Sequence, residues 1–497
     1  MPFRNPNQTA TAPAVDPWAG IDWPFYLGLG ESTSEGFLAN PAITPQWSVP
    51  AGMMAIGGVR PYDGGAVIAT NYASLTQVFS QIFNDGSGNY GETPDPGGLI
   101  SMGQATKQLY GLDLAITGKQ HIISNVGIGG QNIAQLMTGA NWTLISGAIS
   151  AFAALATASG KVAKLCAIPF TIGQNDMTDG TSTATFKANA IAFRQQVIDA
   201  WNTASGRSDD PPMFMVTVGS FNDAGNILAI PQAMIELGQE YPTKFINCGP
   251  AYQFTYSDGV GVHYANTGSK SLGYVLGWGQ YLYLVRGRIW ATPTLDTTER
   301  VGPLLRLNYM DVFTAPLQFN TSWVTDPGDY GFLLMQGDEA RASSCSITAG
   351  VLTVGGTQTG TFAVGQTIWA AKYTQLNNVP VGTTITADLG GGTYQLSNTF
   401  TMPGPASGPN FVVIGQTVVD IKTPTITGDR QVTLETVSGA DVQAGWVVAY
   451  ATRGTRAAGP QTGSRGNLCD STAFAVTGQN PTFTIRGYSQ IFEETLV

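Results

Sequence analysis

The sequence predicts an α/β domain with a parallel sheet, followed by an all-β region. Over residues 21–290, short apolar runs alternate with segments of helical periodicity, which is the pattern of βαβ units. From about residue 293 that periodicity disappears, and short runs rich in Thr, Val and Ile alternate with Gly, Asn and Asp turns. Residues 1–20 are rich in Pro, Ala, Thr and Asn and are predicted to be extended. We therefore place domain boundaries near residues 20 and 293.

The elements of the α/β domain are predicted from apolar runs bounded by turn residues and from periodic apolar positions. The helix over 184–201 has the clearest apolar face, and the helix over 142–158 is rich in alanine. Right-handed crossovers between parallel strands would place helices on both faces of the sheet. The predicted strands are 25–29, 120–126, 162–172, 213–218 and 244–247, and the predicted helices are 73–83, 99–114, one beginning at Asn132, 142–158, 184–201, 230–240 and 270–285.

The region from 293 to 497 is predicted to be a β-sandwich or barrel. Its best strand candidates are 351–354, 383–386, 411–414 and 431–434. The stretch over about 343–404 is richest in Gly and Thr, and we predict that it is a small module inserted between the halves of a larger β domain.

Composition and charge exclude several classes of function. The net charge of −10 and the absence of any Lys/Arg run argue against a nucleic-acid partner. No window approaches the 18 or so apolar residues of a membrane span, and the N-terminus lacks the apolar core of a secretory signal. The four cysteines are scattered, so no metal site is expected. A bridge between Cys345 and Cys469 is left open.

Three short polar segments carry the residue types of nucleophilic catalysis. Residues 30–36 read GESTSEG, residues 173–176 read GQND and residues 258–263 read DGVGVH. A serine hydroxyl is a weak nucleophile at neutral pH and needs an adjacent base, so Ser32 and His263 are the candidates for those two roles. The alternative for each segment alone is structural, because these residue types also cap helices and form polar turns.

The chain has only two histidines, which simplifies their assignment. His263 has an upstream acid, Asp258, that could hold its Nδ1–H, and this makes His263 the strongest single candidate. His121 begins a predicted strand with no catalytic partner nearby, and we predict that it is structural.

The candidate residues should meet at one edge of the sheet. The Ser32 and Asn175 segments directly follow predicted strands, as does the glycine-rich segment 125–130, NVGIGG. Ligands of such folds bind outside the carboxyl ends of the strands. Asn175 and the backbone N–H groups of the glycine turn are therefore candidate oxyanion donors, although the glycine segment taken alone favours a simple strand-to-helix turn.

These four segments, in this order, resemble the four sequence blocks of the SGNH (GDSL-type) hydrolases, which are esterases and carbohydrate deacetylases. The resemblance covers residues 21–290 and implies a flavodoxin-like three-layer α/β/α sandwich. It further implies that Ser32 is the nucleophile and that its own N–H, with Gly130 and Asn175, forms the oxyanion hole. By the same resemblance His263 is the base and Asp258 is its orienting acid.

Two positions depart from the family pattern. The first block usually reads Gly-Asp-Ser, but Glu31 precedes Ser32 here. The family acid usually stands three residues before the histidine, where this chain has Val260, and Asp258 lies two residues further back. Either the loop bulges to bring Asp258 to His263, or the site is a serine–histidine dyad.

The resemblance implies a serine esterase that needs no metal or organic cofactor. Segments 365–367, 381–384, 390–394 and 466–471 are similar to parts of bacteriophage tail proteins. We therefore expect removal of O-acetyl groups from a bacterial surface polysaccharide, on a virion or outside the cell, with other tail proteins as partners and homo-oligomerisation left open. The alternatives are an inactive receptor-binding or structural tail component and a lipid esterase.

Overall fold

The structure is a computed structural model of the 497-residue chain. It describes residues 16–44, 53–56, 62–63, 66–67, 75–77, 91–114, 117–219, 228–257, 262–371, 379–380, 382–401, 412–452, 460–461 and 464–497.

A seven-stranded sheet is the centre of the N-terminal domain. Its order is β5-β2-β6-β1-β7-β8-β9, and every neighbouring pair is parallel except β2 and β5. The five strands β6-β1-β7-β8-β9 have the flavodoxin-like order 2-1-3-4-5. The strands up to residue 250 are β1 (Trp23–Gly30), β2 (Met53–Ile56), β3 (Tyr62–Asp63), β4 (Ala66–Val67), β5 (Leu75–Gln77), β6 (His121–Gly127), β7 (Ala163–Thr171), β8 (Met213–Thr217) and β9 (Phe245–Pro250), of which β3 and β4 pair with each other.

Helices cover both faces of this sheet, so the predicted three-layer α/β/α fold is confirmed. One face packs on α4, α6 and α7, and the other packs on α2 and α8. Side chains alternate along β1 accordingly, with Leu27 and Leu29 in the first core and Tyr26 in the second. The helices are α1 (Ser32–Glu35), α2 (Pro94–Ala105), α3 (Ile133–Leu136), α4 (Gly139–Ala158), α5 (Gln174–Thr178), α6 (Thr183–Ser205), α7 (Ala229–Glu240) and α8 (Asn266–Gln280), with π-helical turns at Thr106–Tyr110 and Tyr281–Val285 and a 3-10 turn at Ala251–Gln253.

One helix in the described part of the chain, α4, is long and apolar enough to cross a membrane, with a mean hydropathy of 1.3. Its buried side chains, among them Ile145, Ile149 and Phe152, instead join the core between the sheet and α6. The composition of α4 is thus that of a core helix in a three-layer fold.

Most element predictions of this domain are confirmed, with two corrections. Part of the helix predicted over 73–83 is the strand β5, which pairs antiparallel with β2, and its other residues lie outside the described ranges. Pairing at a sheet edge there overrides the local pattern. The helix predicted over 99–114 begins earlier, at Pro94, because proline suits the first helical turn and Thr93 is its N-cap residue. It also ends earlier, since its π-helical continuation stops at Tyr110, where Gly111 takes a left-handed conformation.

The C-terminal region is all-β, as predicted. Its largest core includes Leu305, Leu307, Val432, Leu434 and Val448. The strands are β10 (Thr294–Val301), β11 (Leu304–Met310), β12 (Gln318–Phe319), β13 (Phe332–Met335), β14 (Ala340–Ala342), β15 (Ser346–Thr348), β16 (Val351–Thr353), β17 (Gln358–Thr359), β18 (Thr367–Ala371), β19 (Ile385–Gly390), β20 (Thr393–Leu396), β21 (Val412–Gln416), β22 (Val418–Val419), β23 (Thr425–Gly428), β24 (Gln431–Glu435), β25 (Val447–Tyr450), β26 (Leu468–Cys469), β27 (Phe474–Val476), β28 (Phe483–Ile485) and β29 (Phe492–Thr495), with a 3-10 turn at Asp329–Gly331.

The segment from β14 to β21 has a core of its own, which includes Ile347, Leu352, Ile368 and Val413. The strands on either side of it, β13 and β22, pair antiparallel with each other. The chain therefore leaves the larger β domain and returns to it at the same place in one sheet.

The β region is anchored to the α/β domain by the hairpin of β27 and β28. Phe474 stacks on Trp278 of α8 at 4.9 Å between ring centroids, and Phe483 lies in the same core. At a second contact, the Tyr252 hydroxyl donates to the Ser489 carbonyl at 2.8 Å. Both contacts bury aromatic rings between the two regions.

All four cysteines are buried free thiols. The bridge that the sequence left open between Cys345 and Cys469 is not formed, because Cys345 lies in the core of the inserted segment and Cys469 in that of the larger β domain.

Candidate active site

Ser32 lies at the carboxyl edge of the sheet, at the start of α1. The turn before it needs a glycine, since Gly30 has φ of +148° and a Cβ there would lie 1.9 Å from the Thr171 carbonyl oxygen. The Glu31 N–H donates to that same oxygen at 3.1 Å. β1 therefore ends tightly against β7, and the chain turns at once into the helix that presents Ser32.

His263 meets Ser32 directly. The Ser32 Oγ and the His263 Nε2 are 3.0 Å apart, which is the distance expected of a nucleophile and its base. The His263 carbonyl accepts the Ser257 N–H at 2.9 Å, and the Phe37 ring stands edge-on to the imidazole at 4.9 Å. The loop and the ring thus fix the imidazole beside the hydroxyl.

The proton on the imidazole decides what this contact can do. Nε2 can take the hydroxyl proton only in the tautomer that carries its own proton on Nδ1, and that tautomer needs an acceptor at Nδ1. Asp258, the acid predicted for this role, lies outside the described residues, as do positions 259–261. A triad of Ser32, His263 and Asp258 and a dyad of Ser32 and His263 therefore both stay open.

Asn175 is joined to the residue before the serine. Its side-chain Nδ2 and its backbone N–H both donate to the Glu31 carboxylate, the latter at 3.1 Å. The Gln174 N–H donates to the other carboxylate oxygen at 2.7 Å. The Asn175 amide nitrogen carries two hydrogens, so one can hold Glu31 while the other serves an oxyanion.

The glycine-rich segment is joined to the other end of α1. The Gly129 N–H donates to the Glu35 carboxylate, and the Ile128 N–H donates to the Gly30 carbonyl at 2.9 Å. Gly130, the predicted donor, follows in an exposed turn with φ of +71°. The structure thus places Gly130 in a turn held against the helix that carries Ser32.

The short stretch from 31 to 35 accordingly gathers all the predicted segments. Glu31 contacts Asn175, Ser32 contacts His263, and Glu35 contacts Gly129. Ser32, Asn175 and His263 are each partly exposed, whereas both glutamates are buried. The groups suited to acyl transfer face solvent, and the acids that hold them do not.

The two glutamates are functional candidates that the sequence prediction missed. Their signal was an acid on each side of the serine with no basic residue nearby. A third buried set supports α1 from below: the Asn125 Nδ2 donates to the Asp95 carboxylate at 2.6 Å and to the Ser34 carbonyl at 3.0 Å. These contacts fix the helix that carries Ser32.

Burial is the main influence on the pKa values of the carboxyl groups beneath the site. It raises the pKa of the Glu31 carboxyl to about 8, against the lowering effect of hydrogen bonds from Gln174 and Asn175. It also raises the pKa of Asp176 and of Asp95 to about 6. Charging Glu31 in the folded protein therefore has a free-energy cost.

Glu31→Gln is expected to weaken the pH dependence of stability between about pH 5 and 8. The unfolded chain releases the Glu31 proton near 4.5, and the folded protein releases it near 8. Below about pH 4.5, Glu31 is protonated in both states and does not change the free energy of unfolding. Above that pH, this free energy falls by up to ~1.4 kcal/mol per pH unit until the pKa of the folded state is passed. Glutamine cannot ionise, so this loss disappears.

Urea unfolding of wild type and Glu31→Gln, at about pH 5 and about pH 8, gives the free energy of unfolding of each protein at each pH. Other shifted groups, including His121 and Asp95, are present in both proteins and cancel. Glu299→Gln, at an exposed position of β10, is the matched control, and its stability should depend on pH as that of wild type does. If the free energy of unfolding changes with pH equally in wild type and in Glu31→Gln, the raised pKa of Glu31 is contradicted.

The other histidine is buried beside aromatic side chains. His121 is buried, its Nδ1 is 3.1 Å from the Tyr26 hydroxyl, and the Trp18 ring packs edge-on at 4.6 Å. Burial lowers its pKa to about 3. These contacts suit the structural role predicted for it. Within the described ranges, no three His, Cys, Asp or Glu side chains gather as metal ligands would.

Comparison with known proteins finds likeness only at the level of solved structures. No protein-family model matches the sequence, and no curated protein matches it. A carbohydrate acetylesterase from Xanthomonas citri aligns with 13% identity and a TM-score of 0.45, covering 95% of this chain and 80% of that one.

Two further solved structures align with about half of the chain. A carbohydrate acetylesterase from Sinorhizobium meliloti has 12% identity and a TM-score of 0.30, covering 51% of this chain and 96% of that one. An aryl esterase from M. smegmatis has 11% identity and a TM-score of 0.29, covering 51% and 97%. At these values the likeness does not assign an activity, which has to come from the residues of the site.

Proposed function

We propose that the protein is a serine esterase that removes O-acetyl groups from a bacterial surface polysaccharide. The observation that carries the esterase proposal is the 3.0 Å contact between the Ser32 hydroxyl and the His263 imidazole. Both side chains are partly exposed at the carboxyl edge of the parallel sheet, which is where ligands of such folds bind.

In the proposed reaction, the Ser32 Oγ attacks the ester carbonyl while the His263 Nε2 takes its proton. The N–H groups of Ser32 and Gly130 and the Asn175 amide donate to the oxyanion. His263 then protonates the departing sugar oxygen, and the tetrahedral intermediate collapses to an acyl-enzyme. A water molecule, deprotonated by His263, releases the acid and restores the serine.

The first alternative is a tail component that keeps the fold without activity. The displaced Asp258 favours it, but the hydrogen-bonded Ser32–His263 pair favours an active enzyme, because a protein that only binds has no need of this contact. The second alternative is a lipid esterase, for which the sequence offers no long apolar lid segment.

The polysaccharide and the location of the protein rest on the sequence alone. The four blocks resemble the SGNH hydrolases, which include both esterases and carbohydrate deacetylases, and the choice of a polysaccharide rests on the resemblance of the β region to phage tail modules. Attachment to a virion through the β region, with other tail proteins as partners, stays a proposal.

The proposal predicts acetate release from acetylated capsules or O-antigens. Purified wild-type protein should release acetate from at least one polymer of such a panel, and the same polymer stripped of its esters by mild alkali should yield none. The Ser32→Ala variant is the negative control.

Chain-length preference separates the acetyl esterase from the lipid esterase. An enzyme specific for acetyl esters should turn over p-nitrophenyl acetate faster than the octanoate. Preference for octanoate would favour the lipid esterase, and turnover of neither ester by wild type would favour the inactive tail component.

A further inference from the structure

A cavity of about 430 Å³ lies at the junction of the two domains. One wall is formed by the end of α7 and the first half of β9, and the other by residues 310–313 at the end of β11. Its size falls within the roughly 300–1,000 Å³ range of small-molecule pockets. Ser32, Asn175 and His263 do not line it, so it is distinct from the candidate active site.

Most of the cavity wall is apolar and partly aromatic. Phe245 and Trp290 belong to the α/β side, and Met310 and Phe313 belong to the β side. Trp290 is fully buried by the protein around it. The partly exposed Met310 and Phe313 therefore supply the apolar surface for the C–H face of a ring-shaped ligand.

The cavity also has polar groups that the protein leaves unsatisfied. Within the described part of the chain, the buried Trp290 Nε1–H and Gln490 Oε1 have no hydrogen-bond partner. The Gln490 Nε2 donates to Asn247 and Thr292 at 3.1 and 2.8 Å, which fixes the orientation of the amide. Buried polar groups are normally paired, and these two unpaired atoms lie within the wall, behind the surface that faces the cavity.

Two opposite charges complete the wall, Asp311 and Arg430. Asp311 has φ of +57°, an uncommon conformation that Asp tolerates better than most residues. Burial raises the pKa of its carboxyl, and the Arg430 charge lowers it. The two charges are opposite in sign, so together they add no net charge to the wall, and they offer acceptor and donor atoms to hydroxyl groups.

We propose that this junction cavity binds a neutral saccharide unit of one or two sugar rings. A pyranose has an apolar face for Met310 and Phe313, and its hydroxyls can donate to Asp311 and accept from Arg430. The cavity would hold a polysaccharide away from the site where it is processed. Binding here does not require esterase activity.

Saturation-transfer NMR on the full chain tests the proposal. The probes are the methyl glycosides of glucose, galactose, mannose and N-acetylglucosamine, with cellobiose and lactose as disaccharides. The Ser32→Ala background removes turnover, so that failure of the esterase proposal does not affect the result. We expect saturable binding of at least one probe.

Three substitutions localise the binding. Asp311→Asn keeps a residue that tolerates the backbone conformation and removes the charged acceptor, so affinity should fall about tenfold. Asp199→Asn, at an exposed position of α6 that does not line the cavity, is the matched control and should bind as the parent does. Ala291→Phe fills the cavity and should abolish binding, with circular dichroism confirming the fold of each variant.

Two outcomes would overturn the proposal. One is the absence of binding for every saccharide probe, including the case in which a hydrophobic dye binds instead. The other is a saccharide whose affinity is unchanged by both Asp311→Asn and Ala291→Phe.

Discussion

Ser32→Ala and His263→Ala should each reduce kcat for p-nitrophenyl acetate by roughly 10³- to 10⁶-fold, and the double variant should be no slower than the worse single one. The reason is the 3.0 Å contact between Oγ and Nε2. Without the base the hydroxyl keeps its proton, and without the hydroxyl the base has no nucleophile to activate, so the two side chains act as one unit. Steady-state kinetics of the four proteins measures this non-additivity.

Ser34→Ala is the matched control for the serine. Ser34 lies in the same helix, but its Oγ accepts from Asn125 at 3.1 Å, so its loss should leave most of the activity. Additive losses from the two single substitutions, or a rate for Ser32→Ala equal to that of wild type, would sink the nucleophile assignment. In the same assay, Asp258→Ala should lower kcat strongly in a triad and leave it near normal in a dyad.

Asn175→Ala should lower kcat by about 10²- to 10³-fold with little change in KM. Its Nδ2 is anchored by the buried Glu31 carboxylate, so the second amide hydrogen has a fixed direction before substrate binds. A donor of this kind contributes mainly when negative charge develops on the carbonyl oxygen. The loss should therefore appear in the chemical step.

Asn202→Ala is the matched control for Asn175. It removes an amide of the same size from α6, where Asn202 donates to the Asp209 carbonyl at 3.0 Å, and kcat should stay close to wild type. A rise in KM for Asn175→Ala at unchanged kcat would show that Asn175 binds the substrate and gives no extra stabilisation to the oxyanion.

Local sequence patterns were sufficient to predict the helices and strands that bury one regular face in the core. The helix predicted over 184–201 is α6, and the strand predicted over 162–172 is β7, because apolar periodicity reports burial in the core. The strand β5 was missed because it depends on pairing with β2 at the sheet edge, and the local pattern of its own residues does not indicate that pairing. Composition predicted a separate module over about 343–404, whereas the pairing of β13 with β22, on either side of β14–β21, is a long-range contact that composition does not show.

The sequence by itself determined which chemistry is available: Ser32 between two glycines, Asn175 in a polar turn and His263 downstream of an acid, in a fixed order. Only the tertiary structure decided that Ser32 and His263, 231 positions apart, come within 3.0 Å. It alone showed that Glu31 and Glu35 hold the remaining segments against α1. The physical reason is that parallel strands bring their carboxyl ends to one edge, and distances there depend on the packing of the whole sheet.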